Sequence, residues 1–137
     1  MRKIYVIFSL FVAVSLFTSC LDKPSNNSDV VKLVTAEEMQ SILELEDVQL
    51  VDVRTPKEYD EIHIVNAQNI DFKSPTFDAD ISKLDKKKPV ILYCKSGGRS
   101  AKCAKKMEEA GFEKIYDLNG GISKWKHSDK LTFKVQS

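Results

Sequence analysis

Val90-Ile91-Leu92-Tyr93-Cys94-Lys95-Ser96-Gly97-Gly98-Arg99-Ser100 decides how this chain is read. The apolar run Val90 to Tyr93 predicts a buried strand, and a helical pattern begins at Ser100. A cysteine, two glycines and an arginine stand between them. A strand that becomes a helix through so short a loop aims several backbone N–H groups at one point, and the helix N-terminus adds partial positive charge there. A thiol held at that point ionises readily, and an anion binds beside it. Gly97 and Gly98 let the backbone curl closely round such an atom.

Working outward, Val30 to Val34 reads as a first strand. Thr35-Ala36-Glu37-Glu38 is a capping box opening a helix whose apolar face carries Met39, Ile42, Leu43 and Leu45. Gln49 to Val53 is the next strand, expected to be central. Thr55-Pro56-Lys57-Glu58 is a second capping box with proline at the first helical position. Ile62 to Ile70 is expected to hold a short strand and a turn, and Phe77 to Leu84 a helix started near Asp78. Ser100 to Ala110 predicts a helix with Ala101, Ala104 and Met107 inward, stopped by Gly111. Lys114 to Leu118 is a strand, and Gly120-Gly121 a turn into a short helix through Trp125. Strands alternating with helices at this spacing imply an α/β fold with a mainly parallel sheet. Ligands of such sheets sit at the carboxyl ends of strands, where Cys94 falls.

The 137 residues divide into a leader, a tether and one domain. Arg2 and Lys3 precede an apolar stretch from Ile4 to Phe17, and Thr18-Ser19 lead to Cys20, which reads as a secretory signal over residues 1–19. Leu16-Phe17-Thr18-Ser19-Cys20 resembles a bacterial lipobox. That resemblance implies lipid on Cys20 and a domain carried on a membrane of the cell envelope, facing the periplasm. Residues 20–29 form the lipidated cysteine and a polar tether, and residues 30–137 the domain. Without Arg2 and Lys3 the 21 basic residues become 19 against 20 acidic ones, so the mature chain is nearly neutral. Nucleic-acid binding wants a clustered basic excess, and Lys86-Lys87-Lys88 reads only as a solvated turn. With Cys20 lipidated, Cys94 and Cys103 remain at a spacing that is no metal pattern, so no metal and no cofactor are expected. The size suggests a monomer.

Several ordered motifs resemble the rhodanese family. Asp52-Val53-Arg54-Thr55-Pro56-Lys57-Glu58-Tyr59, followed by His63-Ile64, Ala67 and Asn69-Ile70, is similar to its first signature. Tyr93 to Ala101 is similar to its active-site loop, and Gly111-Phe112, Leu118-Asn119-Gly120-Gly121-Ile122 and Trp125 to its closing segment. The resemblance spans roughly Val30 to Leu131. It implies a five-stranded sheet with helices on both faces, and sulfurtransferase activity. Cys94 would take a sulfane sulfur from thiosulfate or a related anionic donor as a persulfide and pass it to a thiol or other thiophilic acceptor. Ile62 and Asn66 stand where glycines are usual in the family, so the turn between them is expected to be rebuilt. Asn tolerates a left-handed backbone, whereas β-branched Ile does not.

Lys95, Ser96, Gly97, Gly98, Arg99 and Ser100 are the candidate substrate-binding residues round catalytic Cys94. Arg99 either points at the anion or braces the loop. Asp52 and Arg54 follow a core strand, where charges need partners. They and Glu58 are expected to support the structure, by hydrogen bonds to neighbouring loops or by Arg54 pairing with Glu58. His63 reads as a scaffold residue, His127 as surface and Cys103 as a small core residue. Related folds use the same cysteine for phosphate or arsenate, but the loop from Cys94 to Arg99 has the six residues that the resemblance links to sulfur transfer. A persulfide carrier or a non-catalytic binding module serving an envelope partner is the alternative.

Overall fold

The computed structural model of the chain describes residues 28–136. The expected leader, the Cys20 lipid site and most of the tether lie outside them. Strand β1 (Val31–Val34) leads into α1 (Ala36–Leu45), then β2 (Gln49–Asp52), α2 (Pro56–Glu61), β3 (Ile62–Ile64) and β4 (Gln68–Asn69). Next come α3 (Phe77–Ile81), β5 (Val90–Tyr93), α4 (Gly98–Glu109), β6 (Ile115–Leu118), α5 (Gly121–Trp125) and β7 (Phe133–Val135). Five strands form one sheet in the order β1-β6-β5-β2-β4, with every pairing parallel. The middle strand is therefore β5, and β2 lies one place towards the edge. The all-apolar run Val90 to Tyr93 is buried on both faces, as the central strand of a parallel sheet must be.

Helices cover both faces. On one, Phe77 and Ile81 of α3 and Cys103, Ala104 and Met107 of α4 pack on Val51, Val90, Leu92 and Ile115. On the other, Ala36 and Met39 of α1 and Ile122 of α5 pack on Leu50, Ile91, Tyr93 and Leu118. Both expected capping boxes form. Thr35 and Thr55 each accept from the amide three residues on, and Glu38 and Glu58 reach back to the cap amides. Each such cap is worth about 1 kcal/mol.

Several local expectations are corrected. Leu45 is 84% exposed, because α1 ends there and its apolar face closes at Ile42 and Leu43. Helix α3 stops at Ile81, short of Leu84; Thr76 precedes it, near Asp78 as expected, and Asp78 itself pairs with Lys106. Helix α4 starts at Gly98, and its buried stripe is Ser100, Cys103, Ala104 and Met107, leaving Ala101 outside. Strand β7 had no signal of its own. It pairs antiparallel with β3, Ile62 opposite Val135, in a second two-stranded sheet. That pairing explains the rebuilt turn: Ile62 is extended at φ −162, while Asn66 takes the left-handed φ of +68.

Candidate active site

Strand β5 delivers Cys94 to the carboxyl edge of the sheet, 1% exposed. The chain then turns through Gly97, whose φ of +103 is a left-handed value that glycine adopts without strain. This turn points the Gly97 amide back at the Cys94 sulfur, 3.1 Å away. Burial pushes the thiol up. The hydroxyl and amide of Ser100, with the amides of Gly97 and Ser96, together outweigh it, and the thiol sits below its ordinary value. A crown of donors thus favours charge on sulfur, as helix and loop geometry predicted.

Two clamps hold the loop. From α2, Glu58 takes both terminal nitrogens of Arg99, at 2.7 and 2.8 Å. The same carboxylate accepts the Thr55 amide and hydroxyl at 3.0 Å each, so helix cap and loop brace share one group. The Arg99 guanidinium, joined by the Thr55 donors, outweighs the upward push of burial and leaves Glu58 at about 2, well below the usual carboxylate range. Of the two roles open to Arg99, the geometry is that of a brace. From α5, the amide of Ile122 donates to the Cys94 carbonyl at 2.9 Å, and Ser123 to that of Lys95 at 3.0 Å. The approach is so close that a Cβ on Gly121 would lie 2.6 Å from the Cys94 and Lys95 backbone. Lys95, Ser96 and Gly98 remain exposed at the mouth.

Arg54 does not pair with Glu58. It turns inward to Asp52, with Nε at 3.0 and 3.1 Å from the two carboxylate oxygens and one terminal nitrogen at 2.7 Å. It also donates to the Ile62 carbonyl, tying the β2 end to β3. Burial alone would pull the guanidinium down, but Asp52 more than offsets it. The physical reason is plain: Asp52 is wholly buried and needs the nearest cation, whereas Glu58 is already engaged by Thr55 and Arg99. At 4% exposure Arg54 faces the interior, not the mouth of the loop. His63 stacks on Tyr59 and holds its carbonyl at 2.8 Å, and His127 is exposed.

Cys103 is buried, and burial followed by the Asp117 charge pushes its thiol up to about 12, so it stays protonated. Asp117 escaped the sequence reading. It sits in β6, 2% exposed, with one carboxylate oxygen that has no hydrogen-bond partner among the described residues. The available signal was an acid inside Ile115 to Leu118, a strand whose sheet is covered on both faces. Among the described residues no group of three or more His, Cys, Asp or Glu side chains is placed to hold a metal ion.

A parallel sheet that presents a cysteine thiol at a strand end, ringed by amides of a loop running into a helix, defines a class of α/β domain with a cysteine at its candidate site. The chain belongs to one family within it. Residues 35–128 match the Rhodanese-like domain family. Over 95 residues the chain is 34% identical to the thiosulfate sulfurtransferase GlpE of Coxiella burnetii, covering 69% of this chain and 87% of that protein. It is 35% identical over 96 residues to YqhL of Bacillus subtilis, covering 70% and 73% of the two chains. The crystal structure of a rhodanese-like domain protein from Staphylococcus aureus superposes with a TM-score of 0.65 at 30% identity, covering 77% of this chain and 99% of that one.

Proposed function

We propose that this protein is a sulfurtransferase that moves a sulfane sulfur through a persulfide on Cys94. The Cys94 thiolate attacks the outer sulfur of thiosulfate or a related donor, and the donor's S–S bond breaks. Sulfite, when thiosulfate is the donor, leaves with the bonding electron pair. An acceptor thiol or cyanide then attacks the outer sulfur of the persulfide, and the Cys94 thiolate departs. The first step needs no general base once Cys94 is ionised, and in the second the acceptor attacks as its thiolate or as cyanide. The observation that carries the reading is the Cys94 sulfur itself, lowered below its ordinary value and facing the Gly97 amide at 3.1 Å. The name of the Coxiella relative points the same way.

The crown suits each species in turn. Donors that favour the thiolate also favour the terminal sulfur of a persulfide, and they attract an anionic donor. Exposed Lys95 adds a positive charge at the entrance. The site operates, on this proposal, at the bacterial cell envelope, carried by lipid on Cys20. Metabolic labelling with palmitate, abolished by Cys20→Ala, tests the anchor.

The full chain in detergent, beside Cys94→Ser, is to be incubated with thiosulfate and its intact mass taken for one added sulfur. Cyanide is then added and thiocyanate measured. Sulfur loading and thiocyanate that both vanish in the variant are expected. Absence of loading with thiosulfate and with polysulfide would refute the proposal.

A further inference from the structure

The two segments that adjoin the Cys94 sulfur, residues 95–107 and 119–128, hold seven lysines and arginines and no aspartate or glutamate. The whole chain has 21 basic against 20 acidic residues, so these two segments concentrate positive charge at one end of the sheet. One side of α4 shows how that charge is used. Arg99, Lys102 and Lys106 follow at three- and four-residue spacing and share a side of the helix. Glu58 of α2 takes Arg99 and Asp78 of α3 takes Lys106, whereas exposed Lys102 between them forms no ion pair among the described residues.

On the other side of the loop lies α5, joined to it by the Ser123 amide on the Lys95 carbonyl at 3.0 Å. Lys95, Lys124 and Lys126 are exposed and likewise form no ion pair among the described residues. The Lys124 nitrogen stands 4.9 Å from the centroid of the Trp125 ring, whose indole N–H donates to the Asn119 carbonyl at 2.9 Å. Uncommitted cations thus surround a braced aromatic, a residue type that anchors protein interfaces.

A small anion has little use for this face. Inside the loop Cys94 is 1% exposed, and Arg99 has both terminal nitrogens on Glu58. Lys102 stands about 6 Å along α4 from its first residue, by helical rise, and Lys126 follows the last residue of α5. Only a ligand as broad as the loop and both helices meets Lys95, Lys102 and Lys126 together. Sulfur exchange also asks that the ligand carry a thiol, which a protein supplies and a nucleic acid does not.

We propose that the loop, the first turns of α4 and helix α5 form a docking face for an acidic protein that presents the thiol exchanging sulfur with Cys94. That partner deepens the proposed function and rests on it for the sulfur exchanged; the docking itself needs only charge and shape.

Two cysteine peptides, one flanked by aspartate and glutamate and one by serine and glycine, are to be made as mixed disulfides with thionitrobenzoate. The Cys94 thiolate attacks the peptide sulfur and forms a new S–S bond. The old bond breaks, and thionitrobenzoate leaves with the bonding pair as a coloured thiolate. The full detergent-solubilised chain is used, with Cys94→Ser as the background for other cysteines. At low ionic strength the acidic peptide is expected to react about 5- to 20-fold faster than the neutral one, and within about twofold of it at ~0.5 M salt. A variant carrying both Lys102→Glu and Lys126→Glu, at exposed positions, is expected to hold a preference of about twofold or less at low ionic strength. Equal rates for the two peptides, or a preference that survives both reversals, would overturn the docking face. So would oligothymidylate blocking the acidic peptide at a lower concentration than polyglutamate does. Disulfide exchange moves no sulfane sulfur, so the same preference in a chain that takes no sulfur from thiosulfate or polysulfide would refute the proposed function and leave the docking face standing.

Discussion

Asp117→Asn has a consequence for stability that can be worked out in advance. The carboxyl titrates near 6 in the folded chain against an ordinary 3.8. Its folded value is raised, so the folded chain binds the proton more tightly than the unfolded one. Stability therefore falls as pH rises from near 4 towards 6, and the loss is complete above that. The displacement corresponds to about 3 kcal/mol at pH 7.5 and only about 0.5 kcal/mol at pH 4. Asparagine cannot ionise, and the oxygen it retains is no worse partnered than the one it replaces. Urea unfolding of both proteins at pH 4 and pH 7.5 is the assay. With an m-value of about 2 kcal/mol/M, the variant's midpoint should exceed that of wild type by roughly 1 M more at pH 7.5 than at pH 4. Other carboxylates titrate alike in both proteins and cancel. An equal difference at the two pH values would mean that Asp117 titrates in the fold as it does in the unfolded chain, and the reasoning would fail.

Gly121→Ala should cost several kcal/mol in urea unfolding and slow Cys94 alkylation, because its Cβ would meet the Cys94 and Lys95 backbone at 2.6 Å. Gly111→Ala, at φ +92 with nothing within 4 Å, should cost only about 1–2 kcal/mol and leave alkylation unchanged; equal costs at the two sites would contradict the clamp. Glu58→Gln should lower stability by about 1–3 kcal/mol at neutral pH, since both side chains of the brace are mostly shielded. The folded Glu58 value is depressed, so this stability is present above pH ~4.5 and fades as pH falls towards 2; paired thermal melts at pH 3 and pH 7 check that the gap narrows in acid. Cys103→Ala should keep thiocyanate production within about twofold of wild type, and peptide mapping at pH 8 should find native Cys103 unalkylated, since its thiol remains protonated to about 12.

The loop and the strand before it were legible because their signals are local. Four apolar residues in a row specify a strand buried on both faces, and two glycines beside a cysteine specify a tight turn. The threonine caps were legible for the same reason, being completed within four residues. What escaped depends on distance along the chain. Arg99 meets Glu58 across 41 residues, and nothing in either segment says which of several cations will claim that carboxylate. For Arg54 two structural roles stood open, and the fold takes the bond to a neighbouring segment, the Ile62 carbonyl, together with the adjacent Asp52 rather than Glu58. The inward face of α4 was misjudged at Ala101 because small residues carry little hydrophobic signal, whereas Cys103 and Met107 mark the stripe unambiguously. Strand β7 exists only by virtue of β3, and its exposed Lys134 and Val135 show no alternation of apolar and polar residues.

The α5 clamp also fixes when the thiol becomes special. Cys94 leaves the ribosome well before Ile122 and Ser123, whose amides cap its loop, and β1 must wait for β6 before it can join the sheet. Until those distant parts of the chain meet, Cys94 is an ordinary cysteine at the end of an unpaired segment, with no crown of amides to draw off its proton. Non-local closure of this kind is slow. A tuned thiol is thus among the last properties the molecule acquires, and a nascent or stalled chain lacks the closed loop that favours charge on its sulfur.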